Sequence, residues 1–216
     1  MTKTYDLTTG SLAKHFMRLA VPAAIGMVFS TLYNVVDVFF AGMIGTDAQA
    51  GLAISFQAFF IFVTIGFGLS AAMTALVGNA IGAKKTTDAS IIAAQGIGFS
   101  IVTSVLLIVA ARFIGPHLLA IISTEGAYRT AGEAYLMILI LSLPGFIMGY
   151  GLNGSLQAQG DTVSMQYALI GAFFANIGLN PLMMFGIPGI WGGLGFDGIA
   201  AATVISQTGV MVYIGF

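Results

Sequence analysis

The sequence predicts an all-α, polytopic membrane protein with six transmembrane helices. Three observations carry that expectation. Only 7% of the 216 residues are charged, whereas 58% are apolar, against about 25% and 45–50% in an ordinary soluble domain. The mean hydropathy is +0.99. The few charges leave uncharged runs at 19–36, 48–83, 89–111, 134–160, 162–196 and 198–216. A bilayer-spanning helix needs about 20 such residues. Backbone groups in lipid must bond within their own segment, and the alternation of a membrane barrel is absent, so the runs read as helices.

Taken in order, the spans fall at about 15–45, 50–81, 89–112, 133–158, 163–187 and 197–216. The first continues through Asp37 to Gly45. It is too long for a secretory signal and leads into five further spans. The 113–132 connection holds Pro116, His117, Glu125 and Arg129, and its Leu118, Leu119, Ile121 and Ile122 predict a short interfacial helix. Pro188, Gly189, Gly192, Gly193 and Gly195 mark a turn-rich loop before the last span, with Trp191 as an interfacial anchor. Glycine pairs four apart (Gly78/Gly82, Gly145/Gly149, Gly189/Gly193) predict close helix contacts. With the N-terminus inside, Lys3, Lys14, Arg18, Lys84 and Lys85 face the cytoplasm and only Arg112 and Arg129 face outward. That bias places the N-terminus in the cytoplasm. The last span closes at Phe216 without a polar flank, which is the expectation for a fragment of a longer chain.

Composition also excludes functions. A nucleic-acid partner would need a basic face, and this chain has a formal charge of −1. With no cysteine there is no disulfide framework, thiolate metal site or Cys nucleophile. His15 and His117 lie at span ends and Ser155 has no histidine at its depth, so an enzyme is not expected, nor an organic cofactor.

Asp37 is the one charged side chain well inside a predicted span, about 12 Å from its outer end. An ionisable group at that depth is costly and marks a proton relay, an ion site or a substrate counter-charge. Tyr33 and Asn34 precede it by four and three residues and are expected on its face. Asn176 and Asn180 pair on the fifth span, and Thr203, Ser206 and Gln207 lie near the outer end of the sixth. Such oxygen-rich surroundings suit a hard cation or a carboxylate that cycles with a proton. Pro22, Pro144 and Pro181 fall inside spans, where proline removes a donor and kinks the helix.

Five segments resemble the multidrug and toxic compound extrusion (MATE) transporters. "YNVVDVFFAGMIG" (33–45) is similar to the family's first-helix acidic pattern. "LVGNAIGAKKTTDA" (76–89) is similar to the close of the second helix, and "LNGSLQAQGDT" (152–162) to the fourth-helix exit. "NIGLNPLMMFG" (176–186) and "GIAAATVISQ" (198–207) resemble the fifth and sixth helices. They occur in family order across nearly the whole chain. The resemblance implies twelve helices in two six-helix lobes around a central cavity, of which residues 1–216 match the N-terminal lobe. It implies a cation or proton site at Asp37, a kink at Pro22, and site residues at Asn153, Asn176, Asn180 and Thr203. Residue counting sets Asn153 nearer the cytoplasm than Asp37. Many relatives carry Asp where this chain has Asn180, so the lone carboxylate leaves H+ open beside Na+ held by Asp37, Asn176 and Asn180. The implied activity is cation-coupled antiport of small organic, cationic drugs across the plasma (inner) membrane. A second lobe or a homodimeric partner would complete the cavity. Two alternatives stand beside it. One is a flippase for lipid-linked precursors, which would line its cavity with basic residues. The other is a non-transporting membrane fragment or assembly subunit.

Overall fold

The computed structural model describes residues 11–216, so Lys3 lies outside the described residues. Its helices are α1 (Leu12–Ile44), α2 (Thr46–Gly82), α3 (Thr86–Ile122), α4 (Ala127–Leu139), α5 (Leu143–Ala158), α6 (Ser164–Phe185) and α7 (Phe196–Gly215). A three-residue 3-10 turn, Ile140–Ser142, joins α4 to α5 within one crossing. Six stretches are long and apolar enough to cross a membrane. The outward faces carry large apolar side chains such as Phe39, Phe99, Leu106, Phe113 and Phe174, as a lipid-facing surface requires.

Two boundaries differ from the sequence expectation. The third span does not stop at 112, and no separate interfacial helix forms. α3 runs on to Ile122 with Pro116 inside it. The reason is a stripe at four-residue spacing (Leu107, Ala111, Gly115, Leu119) that stays buried across Arg112. One helical face continues into the core while Arg112 and His117 point outward. The fourth span begins at Ala127, not 133, and breaks at Ile140–Ser142. Pro144 lies in the first turn of α5. Its ring would clash with the carbonyl four residues back in a continuous helix, and the tighter turn avoids that clash. Pro22 and Pro181 sit in uninterrupted helices.

The core gathers on α2, α4, α5 and α7, around Leu52, Phe59, Leu136, Leu139, Leu143, Ile147 and Ile199. Hydroxyls bolt these helices together. Ser55 Oγ reaches Gly51 O at 2.6 Å and Gly132 O at 2.7 Å, linking α2 to α4. Thr74 Oγ1 reaches Ser70 O at 2.9 Å and Gly154 O at 3.1 Å, linking α2 to α5. Glycine makes the close approaches, but mostly not at the expected pairs. Gly82 has open space and Gly78 only an ordinary contact, with Ala158 Cβ at 3.9 Å from where a Cβ would stand, while Gly189 and Gly193 lie in a loop, Gly193 close against the backbone of Met184 and Gly186. Gly145 does pack, with the backbone of Gln207 at 2.8 Å from where a Cβ would stand. Other tight approaches of backbone to backbone between helices include Gly51 against Gly132, Gly154 against Ser70, and Gly198 against Met183.

α1 is the outlier. Only 17% of its apolar stretch is buried, against 22–56% in the other five. It lies mainly along α6 and α2.

Candidate functional site

Asp37 is completely buried, where α1 meets α6 and α7. Asn180 follows Asn176 by four positions, so both amides project from one face of α6. Asn176 Nδ2 donates to Asp37 Oδ1 at 3.0 Å and Asn180 Nδ2 donates to the same oxygen at 2.8 Å. Asn180 Nδ2 also donates to Asn176 Oδ1 at 2.9 Å. From α7, Thr203 Oγ1 donates to Asp37 Oδ2 at 3.3 Å. Asn176, Asn180 and Thr203 are themselves buried. All three donors are neutral. The ion pairs among the described residues, Lys85–Asp88 and Arg129–Glu133, lie elsewhere.

A buried acid held only by neutral donors is a costly arrangement. Three oxygens nearby remain without partners: Asn180 Oδ1 and the hydroxyls of Tyr33 and Tyr135. Tyr33 stands beside Thr203, Ser206 and Asn176, and Tyr135 beside Thr203. The donor set is therefore carboxylate, amide carbonyl and hydroxyl oxygen, with no group of three or more His, Cys, Asp or Glu among the described residues. That chemistry fits a proton or a hard monovalent cation such as Na+, and the unpaired Asn180 Oδ1 is a free oxygen for it. It does not fit a transition metal.

Two expected members stand apart. Asn34 is exposed, and its amide donates to Ser30 O at 2.9 Å. A three-residue step turns a helix about 60° short of a full circle, whereas Tyr33, four residues away, falls about 40° past it. Tyr33 is buried against the cluster and Asn34 is not. Asn153 is buried on α5 but makes no hydrogen bond to the Asp37 cluster. It lies five residues from the end of α5, about 8 Å, while Asp37 lies about 10 Å from the opposite-facing end of α1. The two belong to opposite halves of the bundle. Pro22 lies fifteen residues before Asp37 and makes no part of the cluster.

The cluster adjoins a cavity of about 160 Å³. Phe56, Phe59, Phe60 and Phe67 of α2 and Phe146 and Tyr150 of α5 line it, with Ser30, Tyr33, Asn34, Thr203 and Gln207 as its polar wall. Phe67 and Tyr150 rings lie 4.6 Å apart and those of Phe59 and Phe146 5.5 Å apart. A cavity of about 150 Å³ holds a benzene ring, so this one is of single-ring size. No Asp, Glu, Lys or Arg lines it. Thr203 belongs to both places: it bonds Asp37 and faces the cavity. The aromatic lining and Tyr135 were not singled out in the sequence. The spacing of Phe56, Phe59, Phe60, Val63 and Phe67 along one face of α2 was the available signal.

Six apolar helices packed around a buried acid and an aromatic cavity define an integral membrane protein of the all-α, polytopic class. A model of the MatE family matches residues 22–182. The chain belongs to the MatE family, and its architecture is that of one lobe. It is 26% identical over 208 residues to "Probable multidrug resistance protein NorM" of Thermotoga maritima, covering 95% of this chain and 45% of that protein. It is 26% identical over 210 residues to an "FAD transporter" of Shewanella oneidensis, covering 95% and 45%. Among solved structures, a MOP superfamily transporter from Pyrococcus furiosus superposes with a TM-score of 0.86 at 23% identity, covering 99% of this chain and 46% of that one. The chain thus spans about half the length of the relatives it matches.

Proposed function

We propose that this chain is the N-terminal lobe of a cation-coupled exporter, with its N-terminus in the cytoplasm. It would exchange H+ or Na+ for small organic, cationic substrates. A second lobe or a second copy would close the substrate cavity. One observation carries the reading: an acid wholly buried among three helices, bonded only by Asn176, Asn180 and Thr203. Buried ionisable groups in membrane helices mark ion pathways. Among the described residues no cationic side chain pairs with the carboxylate, so a mobile ion can take that role.

The steps follow from the hydrogen bonds. A proton arriving on Asp37 makes one of its oxygens a donor as well as a weaker acceptor, so the bonds from Asn176, Asn180 and Thr203 weaken and the new O–H seeks an acceptor of its own. Na+ would compete for the same oxygens, and Asn180 Oδ1 is free to join it. Thr203 transmits either event to the cavity wall. Movement of α1, the least buried helix, then changes the cavity's shape and access, as one lobe rocks against its partner. The names of several relatives, including "Multidrug export protein MepA" of Staphylococcus aureus, support drugs as the substrate class.

The test is Asp37→Asn in the transporter that contains this lobe, expressed in an efflux-deficient bacterium. Loss of resistance to organic cations is expected. Undiminished resistance overturns the coupling role. Efflux in Na+-free buffer under an imposed pH gradient separates the two ions.

A further inference from the structure

α1 is weakly buried, yet it must hold Asp37 within 3.0 Å of two amides on α6. Two glutamines meet it at glycines. At the outer end, α1 and α2 are joined by Gly45 alone. From the first turn of α2, Gln49 reaches back and its Nε2 donates to the carbonyl of Val38 at 3.2 Å. Val38 is the residue after Asp37. That carbonyl is also the acceptor for the amide of residue 42 in a regular helix, and residue 42 is Gly42. A Cβ on Gly42 would collide with Gln49 Nε2 and lie 3.1 Å from its Cδ. The missing side chain is what admits the glutamine. Near the other end of α1 a second glutamine packs into a glycine notch without a hydrogen bond to α1, its Nε2 donating to Thr162 O at 3.4 Å instead. A Cβ on Gly26 would land on Oε1 of Gln166, in the first turn of α6.

Both notches lie on the Asp37 side of Pro22. A bend at Pro22 therefore cannot carry Asp37 with it while Gly26 is held against α6 and Val38 against α2. We infer that Gln49 and Gln166 are positioning residues. They clamp residues 26–42 of α1 as one rigid limb onto α2 and α6, fix the carboxylate of Asp37 against its amides, and must let go for α1 to move. This rests on the ion-exchange reading above.

The glycines offer a mild test. In each case the group in the way is the far end of a flexible side chain, so Gly42→Ala and Gly26→Ala displace the glutamine without forcing the backbones apart. The chain has no cysteine and one acid at this depth. The rate at which a membrane-permeant carbodiimide modifies Asp37 at fixed pH, read by peptide mass spectrometry, therefore reports its exposure. It is measured on the whole chain in membranes, with Asp37→Asn as the blank. Gly42→Ala and Gln49→Leu are each expected to raise the rate by about fivefold, the ratio that one hydrogen bond's net contribution sets. The double variant should be no faster than either single one, since both remove the same contact. Gly26→Ala and Gln166→Leu disturb a packing contact with no hydrogen bond to α1, so each should raise the rate less than the first pair does, again without multiplying. Rates equal to wild type in Gln49→Leu, or multiplying effects in the Gly42→Ala/Gln49→Leu pair, overturn the clamp. Resistance that survives Asp37→Asn overturns ion exchange instead, and leaves the labelling comparison standing.

Discussion

Replacing Asp37 by Leu and by Asn separates the fold's need for an acceptor from the function's need for an acid. Both substitutions remove the buried charge, so that term cancels between them. Asn offers an oxygen where Oδ1 stood, and can accept from both Asn176 and Asn180. Its own amide faces Thr203, whose hydroxyl can turn and accept. Leu offers nothing. Asn176 Nδ2, now bonded at 3.0 Å, loses its only acceptor. Asn180 Nδ2 loses its bond at 2.8 Å but keeps Asn176 Oδ1 at 2.9 Å. Thr203 loses a long bond of 3.3 Å and can rotate to another carbonyl. A stranded buried donor costs about 1–3 kcal/mol. One fully stranded amide and one half-stranded amide put Leu about 2–4 kcal/mol below Asn. At about 2–4 °C per kcal/mol for a chain of this size, the midpoints should differ by roughly 5–15 °C. The assay is thermal unfolding of the purified chain in nanodiscs, followed by helical circular dichroism. Both variants should lack ion-coupled transport. A Leu variant melting within about 2 °C of the Asn variant would falsify this account of the hydrogen bonds.

Other outcomes follow from the same geometry. Gly154→Ala should lower stability by about 1–3 kcal/mol, because a Cβ there meets the backbone of Ser70 and Met73 Cβ at 2.9 Å. Gly98→Ala, with open space around it, should melt like wild type. Phe67→Ala or Tyr150→Ala removes one ring of a pair 4.6 Å apart. An aromatic pair is worth about 0.5–1.5 kcal/mol, so equilibrium binding of an aryl substrate should weaken by roughly 2- to 12-fold, with carbodiimide labelling of Asp37 unchanged. Asn176→Ala should impair cation-dependent efflux, whereas Asn34→Ala should leave the cation dependence as it was, since Asn34 bonds only Ser30.

The charge-free runs revealed the six crossings because a charge in hydrocarbon is expensive wherever it stands. They blurred the ends of the third crossing, since Arg112 can point outward while its helix continues inward. Asp37, Asn176, Asn180 and Thr203 were legible because four-residue spacing and unusual polarity survive in one dimension. Residue counting already set Asn153 at another depth, and the structure keeps it there, whereas Asn34 looked equivalent to those four and is separated by a turn of the helix of about 60°. Tyr135 and the phenylalanines of the cavity were hidden for the opposite reason. Aromatic residues are ordinary in a membrane helix, and only tertiary packing shows which of them surround an empty volume.

The short tightened turn at Ile140–Ser142 has a geometric consequence for the whole crossing. A 3-10 residue advances about 120° and an α residue about 100°, so three of them swing α5 by roughly 60° relative to α4. That swing lets one crossing present Tyr135 to Thr203 and, further down, Phe146 and Tyr150 to the aromatic chamber. Inserting or deleting a single residue there would re-aim every side chain below it by about 100°. This internal joint sets the phase between Tyr135 and the rings that line the cavity, and a change of its length would break that phase.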